Sequence, residues 1–242
     1  MKKTKRSTPA ALLAFGAHPD DIEFGCGGIV ASEALDGRPV HMVVCSRGEA
    51  GSNGTPAIRT AEAERAAKFL GATIEFVELD GDAQLEVRVA HSLKIASIIR
   101  RERPAVLLAP TLEGNQHPDH WRLGQIVRDA ARLARYGGLE SLKARRPHGV
   151  GQLFFYAVSP DAEPAAHPVF IDISARRALA RWTKAMLAHA SQLKTREYVD
   201  LQLARARVCG LRAGMRHAQP LWPNDPLVFS SLAAASRSAR QF

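Results

Sequence analysis

Apolar residues fall along this chain in two alternating rhythms: short unbroken runs, and longer stretches where they recur every three or four positions. The runs AALLAFGA (10–17), PVHMVVCS (39–46), TIEFVEL (73–79) and AVLLAP (105–110) have strand length. Between them, GGIVASEALDG (27–37), PAIRTAEAERAAKFLGA (56–72) and VRVAHSLKIASIIRRERP (87–104) carry the longer period and predict helices. Their ends are punctuated as helices require. Gly37 and Gly71 stand just past two of them, Pro56 opens one, and Pro104 closes another. In the second helix Ile58, Ala61, Ala66, Phe69 and Leu70 are expected to share the buried face. A fourth helix follows at DHWRLGQIVRDAARLARY (119–136), then strands at GQLFFYAVS (151–159) and VFIDIS (169–174). From Ser174 to about Arg216 the pattern is mostly helical.

Strand–helix alternation of this kind predicts an α/β fold: a Rossmann-like, mostly parallel sheet flanked by helices, with a helical C-terminal portion. One domain over 1–242 is expected, with a basic tail at 1–9, a βα core at 10–135, later strands and helices at 150–230, and a frayed tail at 231–242. In such sheets ligands sit at the carboxyl ends of the strands. The segments leaving those ends are polar: AHPDDIE after the first, CSRGEAGSNG after the second, DGDAQ after the third, and TLEGNQHPDH after the fourth.

Composition changes this picture little. Hydrophobic residues are 46% and charged residues 24%, the balance of a soluble globular protein, and no apolar run could span a bilayer. The start, MKKTKRSTPAALLAFGA, superficially resembles a signal peptide, but its apolar part is short and meets the acids without a cleavage site, so a cytoplasmic protein is expected. Three widely spaced cysteines form no CxxC pair, which leaves neither a disulfide framework nor a cysteine zinc site. The net charge of +9 is scattered over tails and helix faces with little aromatic interleaving, so neither nucleic acid nor membrane is expected as a partner. GCGG (25–28) lacks the spacing of a dinucleotide or triphosphate loop.

The candidate chemistry lies in two tetrads. His18, Asp20 and Asp21 follow the first strand; His117, Asp119 and His120 follow the fourth. Each alone reads as a turn whose aspartate caps a helix. Both together, at one sheet edge, supply the two imidazoles and carboxylate of a catalytic zinc site, with groups left over for a base and an electrophile. The same donors suit the facial triad of a non-haem iron oxygenase, which a mostly antiparallel structure would favour, and a nucleotide-binding module without turnover is the third reading. His41, His91, His148, His167, His189 and His217 have no such company, and Cys26 reads as a packing residue.

AHPDD followed a hundred residues later by HPDH resembles the zinc-dependent N-acetylglucosaminyl deacetylases of the PIG-L/LmbE superfamily. FGAHPDDIEFGCGGIVA, CSRGEAGSNGTPAIRTAEAERAAKFLGA, LAPTLEGNQHPDHWRLGQIV and HASQL are most similar to the bacillithiol-pathway branch acting on N-acetylglucosaminyl malate. The resemblance runs to about Asp225. It implies that His18, Asp21 and His120 hold Zn2+ (Fe2+ would fit the same ligands), and that Asp20 is the general base. It further implies that His117 stabilises the oxyanion and that Asp119 orients a histidine, His117 by expectation. Arg59 would hold substrate, Asp82 (or its neighbour Asp80) would meet sugar hydroxyls, and Glu49 and Asn53 would rim the pocket. The partner implied is a small amino-sugar conjugate, and the assembly a homo-oligomer. Two departures stand out. Gln219, in HAQPL, falls where the family carries an acid, and GNQHPDH differs from the malate-branch pattern.

Overall fold

The computed structural model describes residues 10–235 and 237–239. The expected basic tail at 1–9 and part of the tail at 231–242 lie outside the described residues. Strands β1 (Leu12–Gly16), β2 (Val40–Val44), β3 (Thr73–Phe76), β4 (Val106–Pro110), β5 (Gln152–Tyr156), β6 (Val169–Asp172) and β7 (Ala218–Pro223) form one seven-stranded sheet of order β3-β2-β1-β4-β5-β7-β6. β3 through β5 pair in parallel, while β7 is antiparallel to both β5 and β6. A mostly parallel sheet removes the support that an antiparallel fold would have lent the oxygenase reading.

The parallel strands are covered on both faces, which is why they read as continuous apolar runs. Leu13 and Phe15 of β1 belong to a core with α3 (Val89–Glu102) and α4 (Pro118–Leu133). Leu12 and Ala14 point the other way, into a core with α1 (Asp21–Leu35), α2 (Pro56–Leu70) and α5 (Arg176–Leu187). α6 (Tyr198–Arg212) leads into β7. Cys26, Cys45 and Cys209 are free and buried. Among the described residues no helix is long and apolar enough to cross a membrane.

Three elements differ from expectation. α1 starts at Asp21 rather than Gly27, because a left-handed Asp20 (φ 114°) turns the chain directly from the β1 end into the helix. In α2 the buried face is Arg59, Glu62, Ala63, Ala66, Ala67 and Leu70, whereas Ile58 and Phe69 are 49% and 42% exposed. Two charged side chains displace two apolar ones because each has a polar partner inside. β7 was not foreseen, since Pro220 and Pro223, which lack an N–H, disguise a strand.

The glycines of GCGG serve packing. A Cβ on Gly25 would lie 2.2 Å from the Tyr156 ring, on Gly27 2.7 Å from Trp182, and on Gly28 2.7 Å from Ile173. α1 therefore lies unusually close to its neighbours. Gly25→Ala should lose about 1–3 kcal/mol of stability, read as a lowered midpoint in denaturant unfolding, because the buried Tyr156 ring has no free space to enter.

Candidate metal centre

The parallel sheet reverses its winding between β1 and β4, the crevice where such folds bind ligands. Both tetrads open there. After β1 the chain turns through Ala17 to Asp20 into α1. The Asp21 carboxylate closes this turn: Oδ2 accepts from the N–H of Ala17 at 2.8 Å and of His18 at 2.9 Å. Its other oxygen, Oδ1, stands 3.0 Å from His120 Nε2. After β4, His117 caps α4, its Nδ1 accepting from the Asp119 N–H at 3.3 Å, and Pro118 takes the first helical position. Asp119 and His120 thus project from the first turn of α4 into the crevice.

His18 Nδ1 lies 3.3 Å from His120 Nε2 and 3.6 Å from Asp21 Oδ2. All three residues are buried. Ligand atoms placed about 2.1 Å from a tetrahedral ion stand about 3.4 Å apart, close to the 3.3 Å between His18 Nδ1 and His120 Nε2 and the 3.0 Å between His120 Nε2 and Asp21 Oδ1. The opposite edge of His18 is held as well: Nε2 is 3.0 Å from Asp82 Oδ1 and 3.3 Å from Asp119 Oδ2. A histidine tied by carboxylates on its outer nitrogen offers its inner nitrogen in a fixed orientation. The expectation that Asp119 orients His117 is corrected here: Asp119 Oδ2 is 3.9 Å from His117 Nδ1 and closer to His18. Four carboxylates (Asp20, Asp21, Asp82 and Asp119) converge, with Arg59 buried beside Asp20 and Asp82 and the more exposed Arg122 3.6 Å from Asp119 Oδ1. This donor set fits a divalent ion. A second group, His18, Asp82, His117 and Asp119, shares His18 but includes the exposed His117.

The electrostatics follow from burial and charge. Burial would lower the His18 pKa, but Asp21, Asp119 and Asp82 outweigh it and raise it well above the usual value. Burial would raise that of Asp21, but His120 and His18 hold it well below the carboxylate range. Asp20 has less compensation: burial and the Asp21 charge push it up to about 6 against the pull of His189, Arg59 and His18. For His117, burial and the neighbouring His18 lower the pKa, which favours the neutral ring. Because its Nδ1 accepts a backbone N–H, that ring carries its proton on Nε2.

Asp20 occupies a strained backbone conformation, of order 1–3 kcal/mol for a non-glycine residue. Arg59 holds it: Nη2 donates to the Pro19 carbonyl at 3.0 Å and lies 3.5 Å from Asp20 Oδ2, while Nη1 donates to the Gly48 carbonyl at 3.3 Å. Gly48, at φ 74°, admits this guanidinium, since a Cβ there would sit 2.0 Å from it. The loops after β2, β3 and β4 are tied together through backbone amides. Ala50 donates to Asp82 at 3.1 Å, Asp82 to Glu49 at 3.1 Å, and Ala83 to Asp119 at 2.8 Å.

A cavity of about 410 Å3 opens over the cluster, lined by His18, Asp20, Asp21, Arg59, Asp82, His117 and His120 among others. Clefts of about 650 and 1020 Å3 elsewhere contain no member of the cluster. Of the two aspartates of DGD, Asp82 lines the cavity, whereas Asp80 pairs with Arg88 at 3.2 Å and His91 at 3.3 Å. From the β2 loop, Ala50, Gly51 and Ser52 form the wall. Glu49 stands behind it, accepting from Arg47 and Asp82, and Asn53 gives its carbonyl to Gln192 at 2.8 Å. Gln219 is outside the cavity, against α1.

The opposite wall went unread in the sequence. Phe24, Val158, Gln192, Tyr198, Leu201 and Gln202 supply it, and Arg196 stands on it exposed. Within HASQL, Gln192 carried the available signal. His189, which has no acidic or imidazole company in the sequence, is fully buried with Nε2 3.1 Å from Glu23 Oε1, and its charge reaches Asp20.

Comparison with known proteins identifies the family and the fold. The family model PIG-L, described as GlcNAc-PI de-N-acetylase, matches residues 13–131. The diacetylchitobiose deacetylase of Thermococcus kodakarensis is 29% identical over 177 residues, 67% of this chain and 63% of that protein, so the chain spans under two thirds of its length. The solved conserved protein TT1542 from Thermus thermophilus superposes with a TM-score of 0.81 at 32% identity, covering 91% of this chain and 97% of that one. GalB, the 4-carboxy-2-hydroxymuconate hydratase of Pseudomonas putida KT2440, shares the fold with a TM-score of 0.79 at 22% identity, over 92% of this chain and 99% of that one. With both tetrads facing one crevice of this sheet, the chain belongs to the PIG-L family.

Proposed function

We propose that this protein is a metal-dependent N-deacetylase acting on a small N-acetylglucosamine-type conjugate. The observation that carries the reading is the convergence of His18 Nδ1, Asp21 Oδ1 and His120 Nε2 beside a half-buried carboxylate, Asp20, and His117, whose Nδ1 accepts a backbone N–H and so leaves Nε2 to donate. Among its relatives, the diacetylchitobiose deacetylase acts on an amide of this class.

Held by those three atoms, Zn2+ or Fe2+ would supply Lewis acidity and bring the pKa of a water near Asp20 to roughly 7. Asp20 takes the proton from the attacking water; its raised pKa suits a base working near neutrality. The amide carbonyl oxygen gains charge as water adds, and the His117 Nε2–H donates to it. Asp20 then returns its proton to the departing nitrogen. Acetate and a free amine result.

The substrate sits between two unlike walls. Arg59 and Asp82 reach the cavity and can meet hydroxyls, although their nearest partners are within the protein, so holding Asp20 and His18 in place is their first task. Phe24, Val158, Tyr198 and Leu201 offer the apolar side against which a sugar face or aglycone can lie.

The test is a panel of N-acetylglucosamine conjugates, including the malate glycoside and diacetylchitobiose, together with simple N-acylated amines and an unsaturated dicarboxylate. Amine and acetate released in equal amounts from a sugar conjugate is the expected result. Release from other acylated amines alone would move the substrate class. Hydration of the dicarboxylate without amine release, or no turnover by metal-loaded protein, would overturn the reading.

A further inference from the structure

α1 is not a continuous helix. Cys26 leaves helical geometry at φ −142°, ψ 16°, eleven residues short of Gly37 and five past the ligand Asp21. In a regular helix the N–H of Ile29 would bond the carbonyl of Gly25, four residues back. Here the side-chain amide of Gln219, from β7, occupies that rung. Its Oε1 accepts from the Ile29 N–H at 2.9 Å and its Nε2 donates to the Gly25 carbonyl at 3.5 Å. The glutamine is 4% exposed, so no solvent could satisfy either group in its place.

The position of the break matters. Between it and the β1 end lies a single turn, Asp21 to Gly25, carrying the Asp21 carboxylate and following directly on Asp20. That turn is gripped from outside the helix. The Trp182 indole donates to the Glu23 carbonyl at 2.7 Å, and Tyr156 closes over Gly25. The break lets the turn take a direction different from the rest of α1, and the Gln219 amide is the polar splice between the two segments. An amide is the neutral side chain that provides both the acceptor and the donor that the rung requires.

We infer that Gln219 is a positioning residue for the metal centre: by splicing the broken rung between Gly25 and Ile29 it sets where the first turn of α1 presents Asp21 to His18 and His120. The inference rests on the metal reading above. It also gives a use to the departure noted in the sequence, since Gln219 lies against α1 and outside the lining of the cavity. Residues that orient a ligand from behind typically change metal affinity by about 10–100-fold when altered.

Three variants test it. Gln219→Met keeps the length and removes both hydrogen bonds. Gln219→Glu is the conservative change, which keeps the acceptor for Ile29 and, when protonated, the donor for Gly25. Gly28→Ala leaves the amide in place but puts a Cβ 2.8 Å from its Oε1 and 2.7 Å from Ile173, pushing the amide out of the rung. Zn2+ affinity is measured by chelator competition well below each melting temperature, and Co2+ substitution reports ligand geometry through its visible absorption. The control is Ile99→Ala, a core truncation in the opposite layer that lowers stability without approaching α1. Expected is at least ten-fold weaker Zn2+ binding and a shifted Co2+ band for Gln219→Met and Gly28→Ala, rescue by Gln219→Glu to within about three-fold of the unaltered protein, and unchanged affinity for Ile99→Ala. Should the methionine variant not fold, Gly28→Ala and Gln219→Glu decide between them. Unchanged Zn2+ affinity and Co2+ absorption in folded variants would overturn the inference and leave the glutamine a plug in the helix. Absence of Zn2+ binding by the unaltered protein would instead overturn the metal reading.

Discussion

Asp20→Asn will keep its metal and lose its turnover, with kcat falling by about 10²–10⁴-fold. The substitution is nearly isosteric, and asparagine tolerates the left-handed backbone of position 20 at least as well as aspartate. Arg59 keeps its bond to the Pro19 carbonyl, and the contacts of His18, Asp21 and His120 with one another are untouched. What disappears is the carboxylate proposed above to accept the proton of the attacking water and hand it to the leaving nitrogen. Metal content by elemental analysis and turnover of the best conjugate separate the two roles. Loss of the ion in this variant would make Asp20 a ligand; turnover within a few-fold of the unaltered protein would remove it as the base.

Stripping the ion with a chelator will abolish activity and lower the melting temperature together, and adding back Zn2+ or Fe2+ will restore both. Asp20, Asp21, Asp82 and Asp119 crowd their charges around two buried imidazoles, so a cation relieves repulsion in the folded state that the unfolded chain does not feel. An ion present at 100 times its dissociation constant stabilises by about 2.7 kcal/mol, roughly 5–10 °C for a domain of this size. His120→Ala makes the loss permanent, because it removes the donor 3.0 Å from Asp21 Oδ1 and leaves two ligands. Calorimetry with and without chelator reads the shift. Activity and melting temperature both indifferent to the chelator would exclude a resident ion at this centre.

Much of the centre was readable along the chain because its parts are local. His18 and Asp21 are three residues apart on one turn, and His117 and His120 are three apart on another. Each tetrad follows an apolar run too regular to be anything but a buried strand. The parallel topology then brings the ends of β1 and β4 side by side, since the sheet that buries both strands also aligns their carboxyl ends. Asp82 was harder to place, because Asp80 is its equal in composition and two residues away. The decision came from the β3 loop, where the Ala50 amide binds Asp82 while Arg88 and His91 draw Asp80 aside.

The far wall of the cavity and the splice in α1 left no comparable trace. Phe24 and Tyr198 are 174 positions apart yet their rings stand 5.6 Å apart, and Gln219 completes a rung 190 residues upstream of itself. No periodicity records such pairings. Apolar period and helix punctuation express what each segment buries and where it ends, and they indicate the parallel strands, the helices that cover them and the place of the two tetrads at one sheet edge. Which nitrogen of His18 faces Asp21 and His120, which histidine Asp119 stands nearer, and what residue 219 bonds depend on distances between elements that meet only when the two cores close. A buried polar group must find its partner wherever packing brings one, and that partner need not be near it in the chain.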